Sequence, residues 1–230
     1  MSNINLDIRS KDIESAYVVE PFDKGLEILK KADYEIISSR DNASLRIQQG
    51  KNYGVSINGN WVREGLLSVK NSDNLLALNS PLLDTKLAKQ AAEANMKGEY
   101  LSTEDLKLYE QYLRQAEKDR NKDPKERQVL IIPRDYFSIS PKENSEIFEA
   151  LFKDIGKIYL SFIGQDSLRI CPIDKQIVDD QNGTLLTQLW FAHLNYRSRL
   201  VGIYKFFFGC SSLRGIRYVK SSLQSLEESL

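Results

Sequence analysis

Along this chain the apolar residues change their period several times, and each change marks an element. The run AYVVEPF at residues 16–22 reads as a short strand closed by Pro21. Asp23 then caps a helix, DKGLEILKKAD, with Leu26, Ile28 and Leu29 as its apolar side. Residues 34–38 return to strand. Three segments follow, SLRIQQ, YGVSINGNWV and GLLSV, separated by Gly50, the Asn58-Gly59 pair and Gly65, and together they predict a meander. Asn-Gly favours a tight hairpin turn because both residues tolerate positive φ. Trp61 is most simply a core aromatic there, with stacking on a ligand as the alternative.

The period then lengthens. Ser80 followed by Pro81 predicts a helix start, Gly98 its end, and Leu83, Leu87, Ala91 and Ala94 share one face. A second helix is expected from Ser102, spaced to Asp105 like a capping box, with Leu106, Tyr109 and Leu113 as the buried stripe. Residues 117–127, EKDRNKDPKER, alternate in sign and read as a solvated helix end and loop, open to disorder or proteolysis. VLII at 129–132 is a strand buried on both faces, continued outward by the alternation in YFSI at 136–139. Ser140-Pro141 opens a third helix carrying Ile147, Phe148, Leu151, Phe152 and Ile155, with the spacing running on through Tyr159 and Phe162 to Gly164. LRIC at 168–171 is another strand, and Cys171, among apolar neighbours, reads as an inert core thiol.

Helices and strands in mixed order, with no βαβ regularity and no internal repeat, define an α+β class. At 230 residues the chain forms one large domain, or one domain with a β-rich N-terminal extension over residues 1–75. Composition narrows function by exclusion. Lys+Arg and Asp+Glu number 32 each, so no basic excess exists to hold nucleic acid or an acidic membrane. Two cysteines, Cys171 and Cys210, are too few for a disulfide scaffold and have no metal-site spacing. Asp174, Asp179 and Asp180 near the Asn182-Gly183 turn could bind calcium, yet the Glu-Pro-Asn and Trp-Asn-Asp signatures of calcium-dependent sugar binding do not occur. The polar start MSNIN has no apolar core of an export signal and no window is long and apolar enough for a spanning helix, so a cytoplasmic or virion-associated protein is expected.

The most distinctive stretch is residues 184–220, TLLTQLWFAHLNYRSRLVGIYKFFFGCSSLRGIRYVK. Arg197, Arg199, Lys205, Arg214 and Arg217 interrupt its aromatic and aliphatic residues, which points to a surface backed by a core. On pattern alone it is the last hairpin of a core. Leu189, Trp190, Leu194, Leu200, Gly202, Leu213, Gly215 and Ile216 have the character of framework. Between them lie His193, Asn195, Tyr196, Arg197, Arg199, Val201, Ile203, Tyr204, Phe206, Phe208, Cys210 and Ser211, which share no chemical logic.

Leu189-Trp190, Leu194, Arg197-Ser198, Leu200, Gly202 and the ending Leu213-Arg214-Gly215-Ile216-Arg217 resemble the variable region of diversity-generating retroelement variable proteins. Asn182-Gly183-Thr184 and Thr187-Gln188 match the approach to it. The resemblance is specific over residues 174–220 and thin before residue 81. Leu213 and Ile216 stand where that family usually has valine, and a polar tail follows the segment. The resemblance implies a C-type-lectin-like fold with mixed and antiparallel strands and two to four helices. It also implies a variable region, residues 184–220, in which the framework is constant while an error-prone reverse transcriptase rewrites adenine-templated codons. The twelve mixed residues above would then be the ligand-binding set.

Three function classes follow. As a binding protein, the chain would use Tyr196, Tyr204, Phe206, Phe208 and the arginines for contact area and directional hydrogen bonds to a protein ligand, with no cofactor. As an enzyme, it would follow the formylglycine-generating enzymes, which resemble this fold family and use cysteine and copper, with Cys210 as the only candidate. Against that, it has a single histidine, His193, and no nucleophile-elbow, zincin or P-loop spacing. As a viral or cell-surface assembly protein, it would use the same face for one fixed partner.

Overall fold

The computed structural model describes residues 4–9, 13–164, 168–194, 198–203 and 212–218. Its strands are β1 (Asn5–Arg9), β2 (Ile13–Val19), β3 (Glu35–Ile36), β4 (Asn60–Val69), β5 (Asn74–Ala77) and β6 (Ser102–Thr103). They continue with β7 (Val129–Ile132), β8 (Arg169–Cys171), β9 (Thr184–Phe191), β10 (Arg199–Ile203) and β11 (Ser212–Tyr218). One mixed sheet runs in the order β1-β2-β11-β4-β9-β10-β8, with β5 joining β4 to β7. Two pairings are parallel, β11 with β4 and β10 with β8, and the others along this path are antiparallel.

The residues expected as a β-rich extension are instead woven into this sheet. β2 pairs along its whole length with β11, from Val19 opposite Ser212 to Ile13 opposite Tyr218, and β4 lies at the sheet's centre. The segment between them is largely helical. α1 (Phe22–Lys31) buries Phe22, Leu26 and Leu29, as its spacing predicts. The first two segments of the expected meander are α2 (Ser39–Gln49) and the single turn α3 (Gly54–Ile57). Capping explains the difference. Ser38 accepts from Asp41 N at 3.0 Å and its hydroxyl donates back to the Asp41 carboxylate, a reciprocal start three residues apart. Asn58-Gly59 is consequently a helix-to-strand connection, against whose backbone the Trp190 ring packs so closely that a Cβ on Gly59 would lie 1.7 Å from it.

Caps also divide the later helices. Ser80 starts only the 3₁₀ turn Pro81–Leu83, and Asp84, accepting from Lys86 N and Leu87 N, starts α4 (Thr85–Met96). Ser102 belongs to β6, and α5 (Lys107–Asp119) begins where Asp105 accepts from Lys107 N. The long helix expected from Ser140 is two, α6 (Ser145–Phe152) capped by Asn144 and α7 (Gly156–Ile163), broken at Lys153 with φ 49°. α8 (Lys175–Asp179) is capped by Asp174. The described residues thus hold eight α-helical segments, more than the two to four expected, while the α+β class is as expected.

Helices cover both faces of the sheet. Against one face, α2, α6 and α7 bury Leu45, Ile147, Phe148, Leu151, Phe152 and Tyr159 over Leu189, Phe191 and Leu200. Against the other, α1, α4 and α5 bury Phe22, Leu26, Ala88, Ala91 and Tyr109 over Val18, Trp61 and Leu213. Trp61 is 1% exposed and meets Phe22 edge-on at 5.7 Å, which makes it the core aromatic expected. Arg214, grouped with the surface arginines on its spacing, is 2% exposed instead. It donates to Asn60 at 3.3 Å and Ser15 at 3.0 Å and lies over the Tyr17 ring, partners that only the folded sheet assembles.

Glu64, in an irregular stretch of β4, is buried where α2 begins. Its carboxylate accepts from Ser39 N at 3.0 and 3.1 Å and from Ser39 Oγ at 3.0 Å. Burial raises its pKa to about 7, outweighing the opposing pull of the Ser39 bonds. The folded chain therefore holds this proton more tightly than the unfolded one. The resulting stability is complete below the ordinary value of 4.5 and is lost as pH rises through about 7. Urea unfolding at a series of pH values is expected to show Glu64 weakening the fold by about 3 kcal/mol across that window, and Glu64→Gln to flatten the profile. A second expectation concerns Gly183, at φ +91°, where a Cβ would lie 1.9 Å from the Thr103 carbonyl oxygen. Gly183→Ala should lower unfolding free energy by about 2 kcal/mol or more, and an unchanged urea midpoint would refute this reading.

Candidate ligand-binding surface

β8, β9 and β10 set side chains alternately on the two faces of the sheet. Leu189, Phe191, Leu200 and Ile170 enter the core under α2, α6 and α7. Val201 stands on the opposite face, directly between Trp190 of β9 and Cys171 of β8, and all three are half-buried. One step along, exposed Arg199 is opposite half-buried Arg169. The patch is thus an apolar row of Trp190, Val201 and Cys171 beside two guanidinium groups. Arg169 also lies 3.5 Å from the Glu143 carboxylate.

The connection between β9 and β10, residues 192–198, is gripped at both ends. Arg46, 0% exposed on α2, donates to Phe191 O at 3.3 Å and Ala192 O at 2.8 Å. It also donates to Val55 O and to the Tyr159 hydroxyl, each at 3.1 Å, and its guanidinium stands 4.1 Å from the Phe191 ring centre. At the other end Ser198, buried at φ 33°, has its Oγ 3.0 Å from the same Tyr159 oxygen. Ala192 N donates to Arg199 O at 2.8 Å and closes the stem. Burial pushes the Arg46 pKa below its ordinary value, opposed by Tyr159, and main-chain carbonyls and the Phe191 ring face its guanidinium.

Of the twelve residues expected to bind ligand, four lie within the described residues. His193 is partly buried just after β9, and burial first, then the Arg46 charge, hold its pKa below 6.5. Arg199 and Val201 share the open face, and Ile203 is the last residue of β10, in register with Gln188. Asn195, Tyr196, Arg197, Tyr204, Phe206, Phe208, Cys210 and Ser211 lie outside the described residues. The expected framework is buried where described, at Leu189, Leu200, Gly202, Leu213, Gly215 and Ile216, while Trp190 and Leu194 are half-buried. The sequence reading missed Arg169 and Cys171. Cys171 is half-exposed beside Val201 and not sealed in the core. Two of the three carboxylates weighed for calcium are otherwise engaged: Asp174 caps α8 and Asp179 accepts from Arg134 at 2.7 Å.

This architecture is the C-type-lectin-like fold. A solved structure that concerns the accommodation of massive sequence variation in Nanoarchaeota by the C-type lectin fold superposes with a TM-score of 0.57. The match covers 93% of this chain and 100% of that one at 13% identity, a likeness of fold. No protein-family model matches the chain, and no curated protein matches it.

The grip and the open face should separate in mutation. Tyr159→Phe removes the hydroxyl shared by Arg46 and Ser198 and is expected to cost about 1–3 kcal/mol. Arg199→Ala, on the exposed side, should change stability by less than about 0.5 kcal/mol. Equal costs in chemical denaturation would contradict this division.

Proposed function

We propose that the chain is a ligand-binding protein whose variable region, residues 184–220, displays diversified side chains for a protein ligand, without catalysis. The observation that carries this reading is the alternation in β10. Arg199, expected to vary, is exposed, and Val201, also expected to vary, is half-buried at the edge of the opposite cluster, while Leu200 and Gly202, expected to be constant, are buried. Outward residues can change without disturbing the core, because substitutions at such positions typically alter stability by less than about 0.5 kcal/mol. The buried stem supports the same reading, since Arg46 and Tyr159 hold it at Phe191, Ala192 and Ser198 through two main-chain carbonyls and one serine hydroxyl. Such a hold is indifferent to what the intervening side chains are. Likeness of fold to a protein described as accommodating massive sequence variation adds support at the level of architecture.

The test is genetic. The DNA encoding residues 189–217 is aligned with any near-identical repeat in the same locus. Mismatches confined to template adenines, at codons such as those of His193, Tyr196, Tyr204 and Phe206, with a reverse transcriptase gene nearby, are the expected result. A locus with neither repeat nor reverse transcriptase overturns the proposal and leaves a fixed assembly surface.

A further inference from the structure

A second, chemically different site lies away from β8, β9 and β10. A cavity of about 250 Å³ opens between α1, β3, β4 and the 3₁₀ turn Pro81–Leu83, lined by Leu26, Lys30, Tyr34, Glu35, Ile36, Arg63, Asn79 and Leu83. Arg63 is held there by its main chain, its N donating to Ile37 O and its O accepting from Ser80 N, both at 2.9 Å. Its side chain is not so engaged. Nε is buried without a hydrogen-bond partner, and the guanidinium has no ion pair among the described residues. The adjacent Glu64 acts on it only through space, its carboxylate being hydrogen-bonded to Ser39. A guanidinium that lines a cavity with no ion-pair partner would gain from an anion entering beside it.

The rest of the lining defines the anion. The Tyr34 hydroxyl is committed to Glu14, and Lys30 donates to Leu83 O at 2.7 Å while keeping its charge at the rim. Lys30 and Arg63 against Glu35 leave one net positive charge, which suits a monoanion, and Glu35 would repel a phosphate dianion. Leu26, Ile36 and Leu83 form an apolar wall for a hydrocarbon portion. The volume is below the roughly 300–1,000 Å³ of drug-sized sites, so the guest is small. The planar fork of an arginine matches a carboxylate in two-point contact. We propose that this cavity is a binding site for a small aliphatic monocarboxylate, with the carboxylate on Arg63 and the chain against Leu26, Ile36 and Leu83.

The probes are butyrate and hexanoate, titrated by calorimetry and by amide chemical shifts at constant ionic strength. Chloride, inorganic phosphate and butylammonium serve as comparisons. Saturable binding of both carboxylates is expected, tighter for hexanoate, with shifts centred on residues 34–36 and 79–83, and weakened at least tenfold by Arg63→Gln. If Arg63→Gln does not fold, Lys30→Gln and Asn79→Ala, both at exposed positions, replace it, and each should weaken hexanoate at least threefold. Phosphate or chloride binding as well as hexanoate, hexanoate affinity unchanged in the folded variants, or no carboxylate binding at all would each overturn the proposal. Because no lining residue belongs to β8, β9 or β10, the outcome is independent of the display surface.

Discussion

A single buried cation organises the end of the molecule where β9 turns into β10. Arg46 reaches from α2 through the aromatic layer to the carbonyls where β9 ends, and it meets Tyr159, which in turn meets Ser198 where β10 begins. Phe152 stacks on Tyr159 at 5.7 Å and Phe191 meets both rings edge-on, so the hydroxyl that joins Arg46 to Ser198 is locked by close packing. A charge so deep is tolerable only when every donor finds an acceptor. That requirement ties α2, α3, α7 and the β9–β10 stem into one unit, and the open face of β10 is positioned as its by-product.

What could be read from the sequence divides along the same line. The framework of the C-terminal region was legible because large apolar residues and glycines at fixed spacing have few other uses, and Leu189, Leu200, Gly202, Leu213 and Ile216 are buried accordingly. α2 was not legible. It buries Asp41, Asn42 and Arg46 along with Ala43 and Leu45, so no apolar stripe marks it, and its one signal was the Ser38–Asp41 cap. Arg214 was misread for a related reason. Its partners Ser15, Tyr17 and Asn60 are about 150 to 200 residues away in sequence, and no local pattern reports such a neighbourhood. Arg169 and Cys171 were missed because a strand of three residues is too short for alternation to show which side faces out.

Buried and solvent-facing side chains are thereby assigned to opposite sides of the same strand. Along β10 Leu200 and Gly202 are buried under α2, α6 and α7, while Arg199 on the other face is exposed and Val201 half-buried. Period-two geometry makes this separation automatic, because neighbouring residues cannot share a face. A helix would divide less cleanly, since its turn sets adjacent side chains only about a third of a revolution apart.

The pairing of β2 with β11 has a consequence for chain quality. β11 lies downstream of residues 192–211, and it is zipped on one side to β2, near the other end of the chain, and on the other to β4 at the sheet's centre. A shift of reading frame anywhere in residues 192–211 would replace the Leu-Arg-Gly-Ile pattern that enters this slot. The sheet would then lack the strand between β2 and β4, leaving Val18 and Trp61 without Leu213 in their cluster. Folding itself therefore acts as a proofreader of translation frame, since a chain that folds has carried the segment between β10 and β11 in the correct frame.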